Sequence, residues 1–292
     1  MSSTVTREAT VVPRPTLAEI DAFGVTHPGL VRKTNADHFL VASLHRTLHV
    51  HCTSLGEGVG PQETETRGFL LLVADGVGGL AGAQEGSARV VTSVAQHLLH
   101  ATELCSQMAA ANENEAMNNL REAVAGAHRA LLAATDEEGT THASTLTMFA
   151  SFWPRAFVVH VGDSRAYRFR DGVLERLTTD QTFAQMMVQA GALTPAGAEA
   201  SHLKHVLWSA LGGQEVAPEV HLTDVTRRGV VLLCTDGLTT YVSDDEIKTH
   251  LASCTSAEET CHKLVDLALA RGGRDNITVV IGRVRNGDGP TS

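Results

Sequence analysis

Five aspartates stand beside short apolar runs that are typical of β-strands, and carboxylates fixed at strand ends can bind metal ions. Two of the five begin an Asp-Gly pair directly after a strand, which combines a rigidly held carboxylate with a backbone that can turn. Several converging carboxylates would repel one another unless cations lay between them. Oxygen ligands without histidine or cysteine favour hard ions such as Mg²⁺ or Mn²⁺. In chain order the residues are Asp37, Asp75, Asp163, Asp236 and Asp275.

The metal hypothesis depends on the whole set, because a single Asp-Gly pair is more often an ordinary turn. Two divalent ions that share a bridging carboxylate can activate a water and hold phosphoryl oxygens for an in-line displacement. Fifteen histidines suggest a separate site, but in the run RTLHVHC apolar residues alternate with histidines, which is typical of a half-buried strand. We expect structural roles for the histidines in question, which are His45, His49, His51, His142 and His160.

Hydrophobic periodicity predicts the elements that position these aspartates. Strand-like runs lie at 37–43, 47–52, 68–74, 144–153, 156–162, 165–172, 229–234 and 277–284. Helical apolar faces are formed by Val91, Val94, Ala95, Leu98 and Leu99, and by Met117, Leu120, Val124, Ala127 and Leu131. Capping-box patterns open two more helices at Ser243 with Glu246 and at Ser256 with Glu259. Segment 156–178 predicts consecutive antiparallel strands with turns at Gly-Asp-Ser and Arg-Asp-Gly, so the pattern favours an α+β fold over a doubly wound sheet.

Length and composition restrict the organisation and the partners. The 292 residues show no internal linker, so we expect one domain over 19–285, with disordered ends at 1–18 and 286–292 and a surface excursion at about 53–68. The 23 Lys and Arg against 33 Asp and Glu disfavour binding to nucleic acid or to an anionic membrane surface. The five cysteines form no C-x-x-C pair, and neither a membrane span nor a signal peptide is predicted. These features together favour a reducing, cytoplasmic setting.

The motifs VRKTNAD, LLLVADGVGG, a Ser-Thr-Leu strand, VGDSRAYRFRDG, LLCTDGL and GGRDNITVV occur in an order that resembles the metal-dependent protein phosphatases. This is the PPM or type 2C Ser/Thr phosphatase family, in its bacterial form, and the resemblance runs from about Phe23 to Arg283. It implies a central antiparallel β-sandwich flanked by helices in four layers (α-β-β-α), with a helical flap inserted. It also implies hydrolysis of phosphoserine and phosphothreonine in proteins by a metal-activated water, without a covalent enzyme intermediate.

The resemblance further implies two Mg²⁺ or Mn²⁺ ions, with room for a weaker third. Asp75 would bridge the two ions, with the Gly76 carbonyl as a further ligand, and Asp236 and Asp275 would complete the metal shell. Asp37 would act indirectly, through water in the metal network. The expected partners are phosphorylated proteins and a Ser/Thr kinase or its targets, and the expected state is a monomer.

Three further residues gain roles from the same resemblance. Asp163 matches the aspartate that helps to hold a third metal ion in bacterial members. Arg32 matches the arginine that binds the substrate phosphate, a role that suits its bidentate guanidinium. Asn276 follows the last metal aspartate, where we expect a supporting role.

A segment at about 178–213, called the flap segment below, resembles the mobile helical insertion of the family. Thr194-Pro195 starts its second helix, and Gly191 ends its first. Without the resemblance, its apolar stripe would be ordinary core packing. The stripe consists of Phe183, Met186, Met187 and Ala190.

The chain departs from the family pattern at four places. Val77 replaces the residue that follows Asp-Gly, a His in eukaryotic members and commonly a Met in bacterial ones, so a metal-bound water or another group would have to protonate the leaving alkoxide. Ala36 removes a polar group before the first motif's aspartate, Ala143 stands where a glycine is expected, and His202-Leu203 replaces the usual His-Pro.

Other phosphatase chemistries lack their motifs in this sequence. No cysteine is followed by the arginine of a cysteine-dependent phosphate loop, no two aspartates are separated by a single residue, and no P-loop pattern occurs. A non-catalytic phosphoprotein-binding module on the same fold remains the alternative, and Ala36 and Val77 are its best support.

Overall fold

Two antiparallel sheets form the centre of the protein. The computed structural model describes residues 14–44, 48–54, 68–78, 80–100, 113–134, 141–153, 155–225 and 227–285. Its strands are β1 (Ile20–His27), β2 (Asp37–Leu44), β3 (Leu48–Thr53), β4 (Gly68–Val77), β5 (Ala143–Ser144), β6 (Leu146–Phe152), β7 (Arg155–Val161), β8 (Arg165–Arg170), β9 (Val173–Arg176), β10 (Glu219–Asp224), β11 (Val230–Cys234) and β12 (Ile277–Val284).

The helices lie between and after the strands. They are α1 (Leu80–His100), α2 (Glu113–Leu132), α3 (Phe183–Gln189), α4 (Pro195–Glu199), α5 (Asp236–Thr239), α6 (Asp244–Ala252) and α7 (Ala257–Ala270), with 3-10 turns at Leu17–Glu19 and His202–His205. None of these helices is long and apolar enough to cross a membrane.

The sheets and helices stack in four layers, as the family resemblance implies. The smaller sheet has the order β1-β12-β11-β8-β9, and the larger has β10-β7-β6-β4-β2-β3 with β5 attached to β4. One apolar cluster joins α1 and α2 to the larger sheet, a second lies between the sheets, and a third joins α6 and α7 to the smaller sheet. Every residue of β2 is buried, because one of its faces packs against helices and the other against the second sheet.

All eight predicted strand segments contain strands, but one predicted pairing is wrong. The turn at Gly162–Ser164 does not close a hairpin between β7 and β8. Instead β7 pairs with β6 and β10 in the larger sheet, whereas β8 pairs with β9 and β11 in the smaller one. The turn at Asp171–Gly172 does close the β8–β9 hairpin. Local turn patterns indicate that the chain reverses but do not say which sheet it enters.

Two strands were not predicted, and one predicted strand is interrupted. The strand β1 has weak alternation in sequence, and the edge strand β10 alternates but is short and contains only two apolar residues. The run 144–153 is divided at Thr145: its N–H donates to the Asp75 carbonyl in the register of the ladder, but the Asp75 N–H donates to the Thr145 hydroxyl. Most of the predicted disordered termini and surface excursion, at residues 1–13, 55–67 and 286–292, lies outside the described residues. The 3-10 turn at Leu17–Glu19 falls at the predicted boundary between the N-terminal segment and the domain.

The predicted helices are present. Each predicted apolar face lies largely against the larger sheet, although Leu99 remains 36% exposed. The side chains of Ser243 and Glu246 form the predicted capping box, and Ser256 caps α7 by accepting from the Glu259 N–H.

We expect Leu131→Ala to lower the free energy of unfolding by about 2–5 kcal/mol, because it opens a cavity in the helix–sheet core. Leu131 is 1% exposed, whereas its neighbour Leu132 is 50% exposed. Leu132→Ala is therefore the matched control, with an expected change below about 0.5 kcal/mol. Urea unfolding of both variants measures the difference, and equal losses would contradict the assigned orientation of α2.

Candidate active site

The five aspartates predicted from the sequence lie together at one end of the sandwich. Asp37 begins β2 and faces Asp75 across the β2–β4 pair. Asp236 is the first residue of α5, and Asp275 directly precedes Asn276 at the entry to β12. Asp163 lies in the turn that carries the chain from β7 to β8. A pocket of about 490 Å³ is lined by all of these aspartates except Asp37.

Burial and neighbouring carboxylates raise the pKa values of Asp75 and Asp163. Withdrawal from water raises the pKa of Asp75 well above its usual range, and the four other aspartates raise it further. Withdrawal from water also raises the pKa of Asp163, with Asp236 and Asp180 adding to the effect. The pocket therefore concentrates negative charge that the protein itself only partly offsets.

Asp37 lies beneath the pocket and is 2% exposed. Its Oδ2 accepts hydrogen bonds from the hydroxyls of Thr235 and Thr278, each at 2.7 Å. Its Oδ1 is buried and has no hydrogen-bond partner among the described residues. Burial raises the pKa of Asp37 to about 7, although the two hydroxyls oppose the shift.

A chain of polar side chains fixes the direction of these hydroxyls. The Asn35 amide donates to the Thr26 hydroxyl at 2.8 Å, and the Thr26 and Thr278 hydroxyls lie 2.8 Å apart. Because Thr278 donates its proton to Asp37, Thr26 must donate to Thr278. The smaller sheet thus presents oriented donors to a carboxylate of the larger sheet.

The backbone of Asp75 is held by Thr145. The Asp75 N–H donates to the Thr145 hydroxyl at 3.0 Å, and the Thr145 N–H donates to the Asp75 carbonyl at 2.8 Å. The Thr145 hydroxyl also pairs with Ser164, next to Asp163, at 2.9 Å. One threonine therefore links the supports of two site aspartates.

The glycines after Asp75 and Asp236 serve close packing. A Cβ on Gly76 would collide with the Ala83 carbonyl, and one on Gly237 would collide with the Asn276 carbonyl. Neither glycine has a positive φ, so lack of space, and not backbone freedom, requires glycine here.

Arg32 lies at the rim of the pocket with its side chain 50% exposed. Its guanidinium donates to both carboxylate oxygens of Asp275, at 2.9 and 2.7 Å. The Asn276 side chain supports the loop that carries Arg32, because its amide donates to the carbonyls of Pro28 and Thr34 and its oxygen accepts from the Ala36 N–H.

Two of the departures from the family pattern have visible structural roles. Val77 pairs with Ala143 at the β4–β5 bridge and brings no titratable group to the pocket. The Ala36 backbone carbonyl accepts from the Gly76 N–H at 3.1 Å.

Two of the histidines that were expected to be structural are buried and hydrogen-bonded. His142 bonds to the Gly82 carbonyl, and His160 bonds to the Thr147 hydroxyl and the Thr179 carbonyl. The histidines at 49 and 51 lie on β3, but their side chains lie outside the described structure, as does residue 45.

His205 is a site residue that was not predicted from the sequence. This histidine ends the 3-10 turn of the flap segment, and its Nδ1 lies 3.3 Å from Asp236 Oδ2. One ligand atom each from Asp163, His205 and Asp236 lies within 4.8 Å of the other two. The hydrogen bond to Asp236 raises the pKa of His205. No local pattern marks this histidine, because the fold of the flap segment brings it to the pocket.

The apolar stripe of the flap segment does not pack into a core, contrary to what its pattern alone predicts. Phe183 is 41% exposed, and Met186 and Met187 are each 38% exposed. Ala184, on the opposite side of α3, is the buried residue. The predicted helix ends and starts are present, since Gly191 has φ +72° and Thr194 caps α4 with proline in its first turn.

The residues present fit divalent cations. The Asp37 Oδ1 atom is buried without a donor, and the carboxylates face one another across a pocket open to ions. Carboxylates and backbone carbonyls are the ligands that Mg²⁺ and Mn²⁺ prefer.

A four-layer sandwich with an acidic pocket at one end of both sheets defines a class of divalent-cation-binding α+β proteins. Within that class, the sequence profile of the family described as Protein phosphatase 2C matches residues 61–270. The chain therefore belongs to the protein phosphatase 2C family.

Named relatives and solved structures agree with this assignment. The serine/threonine protein phosphatase PstP of Mycobacterium tuberculosis is 35% identical over 217 residues, which are 74% of this chain and 40% of that protein. The chain thus spans less than half the length of this curated relative. The catalytic domain of PstP, solved in complex with two manganese ions, is 31% identical with a TM-score of 0.69, over 91% of this chain and 99% of that one. The phosphatase MsPP of Mycobacterium smegmatis, solved with cacodylate, is 29% identical with a TM-score of 0.68, over 93% of this chain and 100% of that one.

We expect Asp37→Asn to stabilise the chelator-treated protein at neutral pH. The Asp37 carboxyl has a pKa of about 7 when folded against 3.8 ordinarily, so the folded state binds more protons and the free energy of unfolding falls as pH rises from about 4 to 7. The neutral amide removes this loss, which predicts a gain of about 1–3 kcal/mol at pH 8 and little gain at pH 4.

The matched control is Asp171→Asn, which removes the same charge at an exposed turn residue whose positive φ asparagine tolerates. Denaturant unfolding at both pH values measures the difference. An Asp37→Asn protein no more stable than wild type at pH 8 would contradict the burial cost assigned to Asp37.

Proposed function

We propose that this chain is a Mg²⁺- or Mn²⁺-dependent protein serine/threonine phosphatase. The observation that carries the proposal is the convergence of four aspartates on one pocket, with Asp37 buried beneath it and an exposed arginine at its rim. The two manganese ions bound by the PstP catalytic domain support the metal class, and the names of the relatives support the substrate class.

The positions of the acidic residues support the roles that the family resemblance implies. Asp75, Asp236 and Asp275 hold two divalent ions together with the Gly76 carbonyl, and Asp37 acts on them from beneath through water. When bound, these ions supply charge for the phosphoryl oxygens and an activated water. The hydroxyls of the smaller sheet keep Asp37 in place, and Thr145 keeps Asp75 in place.

Asp163 lies on the flap side of the pocket and suits a third, weaker ion. It also lines a second, smaller pocket with Arg165, Asp180 and Lys204. Arg165 is engaged by Asp180 at 2.7 Å. Because Arg165 pairs with Asp180, the carboxylate of Asp163 is available to a cation.

Arg32 binds the phosphoryl group of the substrate. Its fork already fits a planar pair of oxygens, as its contact with Asp275 demonstrates. Its exposure lets a phosphorylated side chain reach it from solvent. Because Val77 has no proton to give, the departing serine or threonine oxygen takes its proton from solvent or from another group of the pocket.

The proposal also covers the partner proteins of the phosphatase and its cellular compartment. Phosphorylated serine and threonine side chains arise from protein kinases, so a Ser/Thr kinase or its targets are the expected partners, and the chain is expected to act as a monomer. The described cysteines Cys234, Cys254 and Cys261 form no disulfide with one another, which suits a reducing, cytoplasmic compartment.

We expect Mn²⁺-dependent hydrolysis of a phosphothreonine peptide that a chelator abolishes. Asp236→Asn should lower kcat by at least about 100-fold while near-UV circular dichroism stays unchanged, because a metal ligand is lost and not a core contact. Asp245→Asn, an exposed aspartate in the first turn of α6, is the matched control and should keep wild-type turnover.

Phosphate release by the folded wild-type protein, with and without chelator, decides between enzyme and non-catalytic binding module. Binding of the phosphopeptide without any chelator-sensitive turnover would favour the binding module. Full activity in Asp236→Asn would contradict the assigned metal ligands.

We expect Arg32→Lys to raise KM for the phosphopeptide by about tenfold, because lysine keeps the charge but loses the two-point contact. Lys33→Ala removes an adjacent exposed cation and is the matched control, with KM expected within about twofold of wild type. Steady-state kinetics at saturating Mn²⁺ measures both, and equal KM values for Arg32→Lys and wild type would count against a phosphate-binding role.

A further inference from the structure

We propose that His205 of the flap segment is a nitrogen ligand to a transition-metal ion shared with Asp163 and Asp236, so that this ion fastens the flap segment to the pocket. The inference rests on the proposed function only in assigning the two aspartates to metal. It adds a histidine ligand and a mechanical role for the ion.

The geometry fits one ion between the three side chains. Ligand atoms about 2.1 Å from one ion, at angles from 90° to tetrahedral, lie about 3.0–3.4 Å apart. The His205 Nδ1 to Asp236 Oδ2 distance is 3.3 Å, and the farthest ligand pair of the three residues lies within 4.8 Å. Any wider pair involves Asp163, and rotation of the His205 side chain, which is about half exposed, can adjust its distance to that residue.

A buried carboxylate faces this position. Asp163 is 8% exposed, and together with His205 and Asp236 it lines both pockets at this end of the site. The nearby Arg165 donates instead to Asp180, at 2.7 Å. A buried carboxylate in this state attracts a cation, and a cation bound there would also contact the histidine.

The donor set indicates the kind of ion. Two carboxylates alone suit Mg²⁺, whereas an added imidazole favours Mn²⁺, Co²⁺ or Zn²⁺ over Mg²⁺. We therefore expect this position to discriminate between Mn²⁺ and Mg²⁺, although the carboxylate-rich part of the pocket accepts both.

The position of His205 in the chain gives the ion a mechanical role. Two residues after it, Leu207 forms an isolated bridge with Thr182, which closes the base of the helical insertion. The insertion carries exposed apolar side chains at Phe183, Met186 and Met187, so this face of α3 is not held by a core. A bond through the ion from His205 to Asp236 would tie the insertion to the body of the protein at a second point.

The competing explanation is that His205 and Asp236 form an ion pair and nothing more. The test uses His205→Ala and His205→Gln, since glutamine can still donate a hydrogen bond to Asp236 but is a poor ligand for transition metals. His202→Ala is the matched control, because His202 is an exposed histidine in the same 3-10 turn and does not belong to the three-residue cluster.

Two readouts that do not depend on activity test the proposal. Titration with Mn²⁺, followed by the electron paramagnetic resonance of free Mn²⁺, measures the number and affinity of sites. Hydrogen exchange over residues 183–205 in chelator, Mg²⁺ or Mn²⁺ measures how firmly the insertion is held. We expect Mn²⁺, but not Mg²⁺, to slow this exchange in wild type and in His202→Ala.

Both His205 variants should weaken the weakest Mn²⁺ site by at least about tenfold and lose the slowed exchange. The proposal is overturned if wild type binds only two Mn²⁺ ions, if His205→Gln behaves as wild type, or if Mg²⁺ slows exchange as well as Mn²⁺. Failure of the proposed function would appear separately, as absent phosphopeptide hydrolysis in a wild-type protein that still binds Mn²⁺ with these properties.

Discussion

Repulsion among five carboxylates at one end of the sandwich is the constraint on which the rest of the site depends. Three of the carboxylates have identifiable supports: hydroxyls hold Asp37, Thr145 holds the backbone of Asp75, and Asp236 is fixed at the start of α5. Burial raises the pKa values of Asp37 and Asp75, and neighbouring carboxylates raise them further. The three apolar clusters of the four-layer fold must offset this cost, because the polar groups around the pocket do so only in part.

The site is a junction between the two sheets. Asp37 and Asp75 belong to the larger sheet, but the hydroxyls that hold Asp37 come from Thr235 and Thr278 beside and within the smaller one. The Asn276 side chain in turn fixes the loop that leads from β1 to β2. The relative position of the two sheets therefore determines the relative positions of the carboxylates. A shift of either sheet would separate the carboxylates that must bind the same metal ions.

The sequence predicts the parts of this arrangement that depend on local pattern. Strand-terminal aspartates, capped helices and the α+β class follow from periodicity and turn residues, and the order of motifs supplies the family. It does not predict that β7 and β8 enter different sheets, because the same glycine-containing turn serves a hairpin or a crossing between layers. It also misses Thr145, Thr278 and His205, since their roles arise from contacts over long sequence separations. The exposed stripe on α3 shows the same limit, because periodicity reports an apolar face but not whether anything covers it.

A cation at this junction has a structural consequence in addition to a chemical one. A ligand that binds the folded state and not the unfolded one stabilises the fold by mass action. Here the binding energy acts on the contact between the sheets, because two aspartates belong to the larger sheet, two lie next to strands of the smaller sheet, and one lies in the turn that crosses between them. Occupation of the site therefore relieves the repulsion within the pocket and tightens the sandwich at the same end. At this site, the excess of acidic residues makes the stability of the fold depend on bound metal ions.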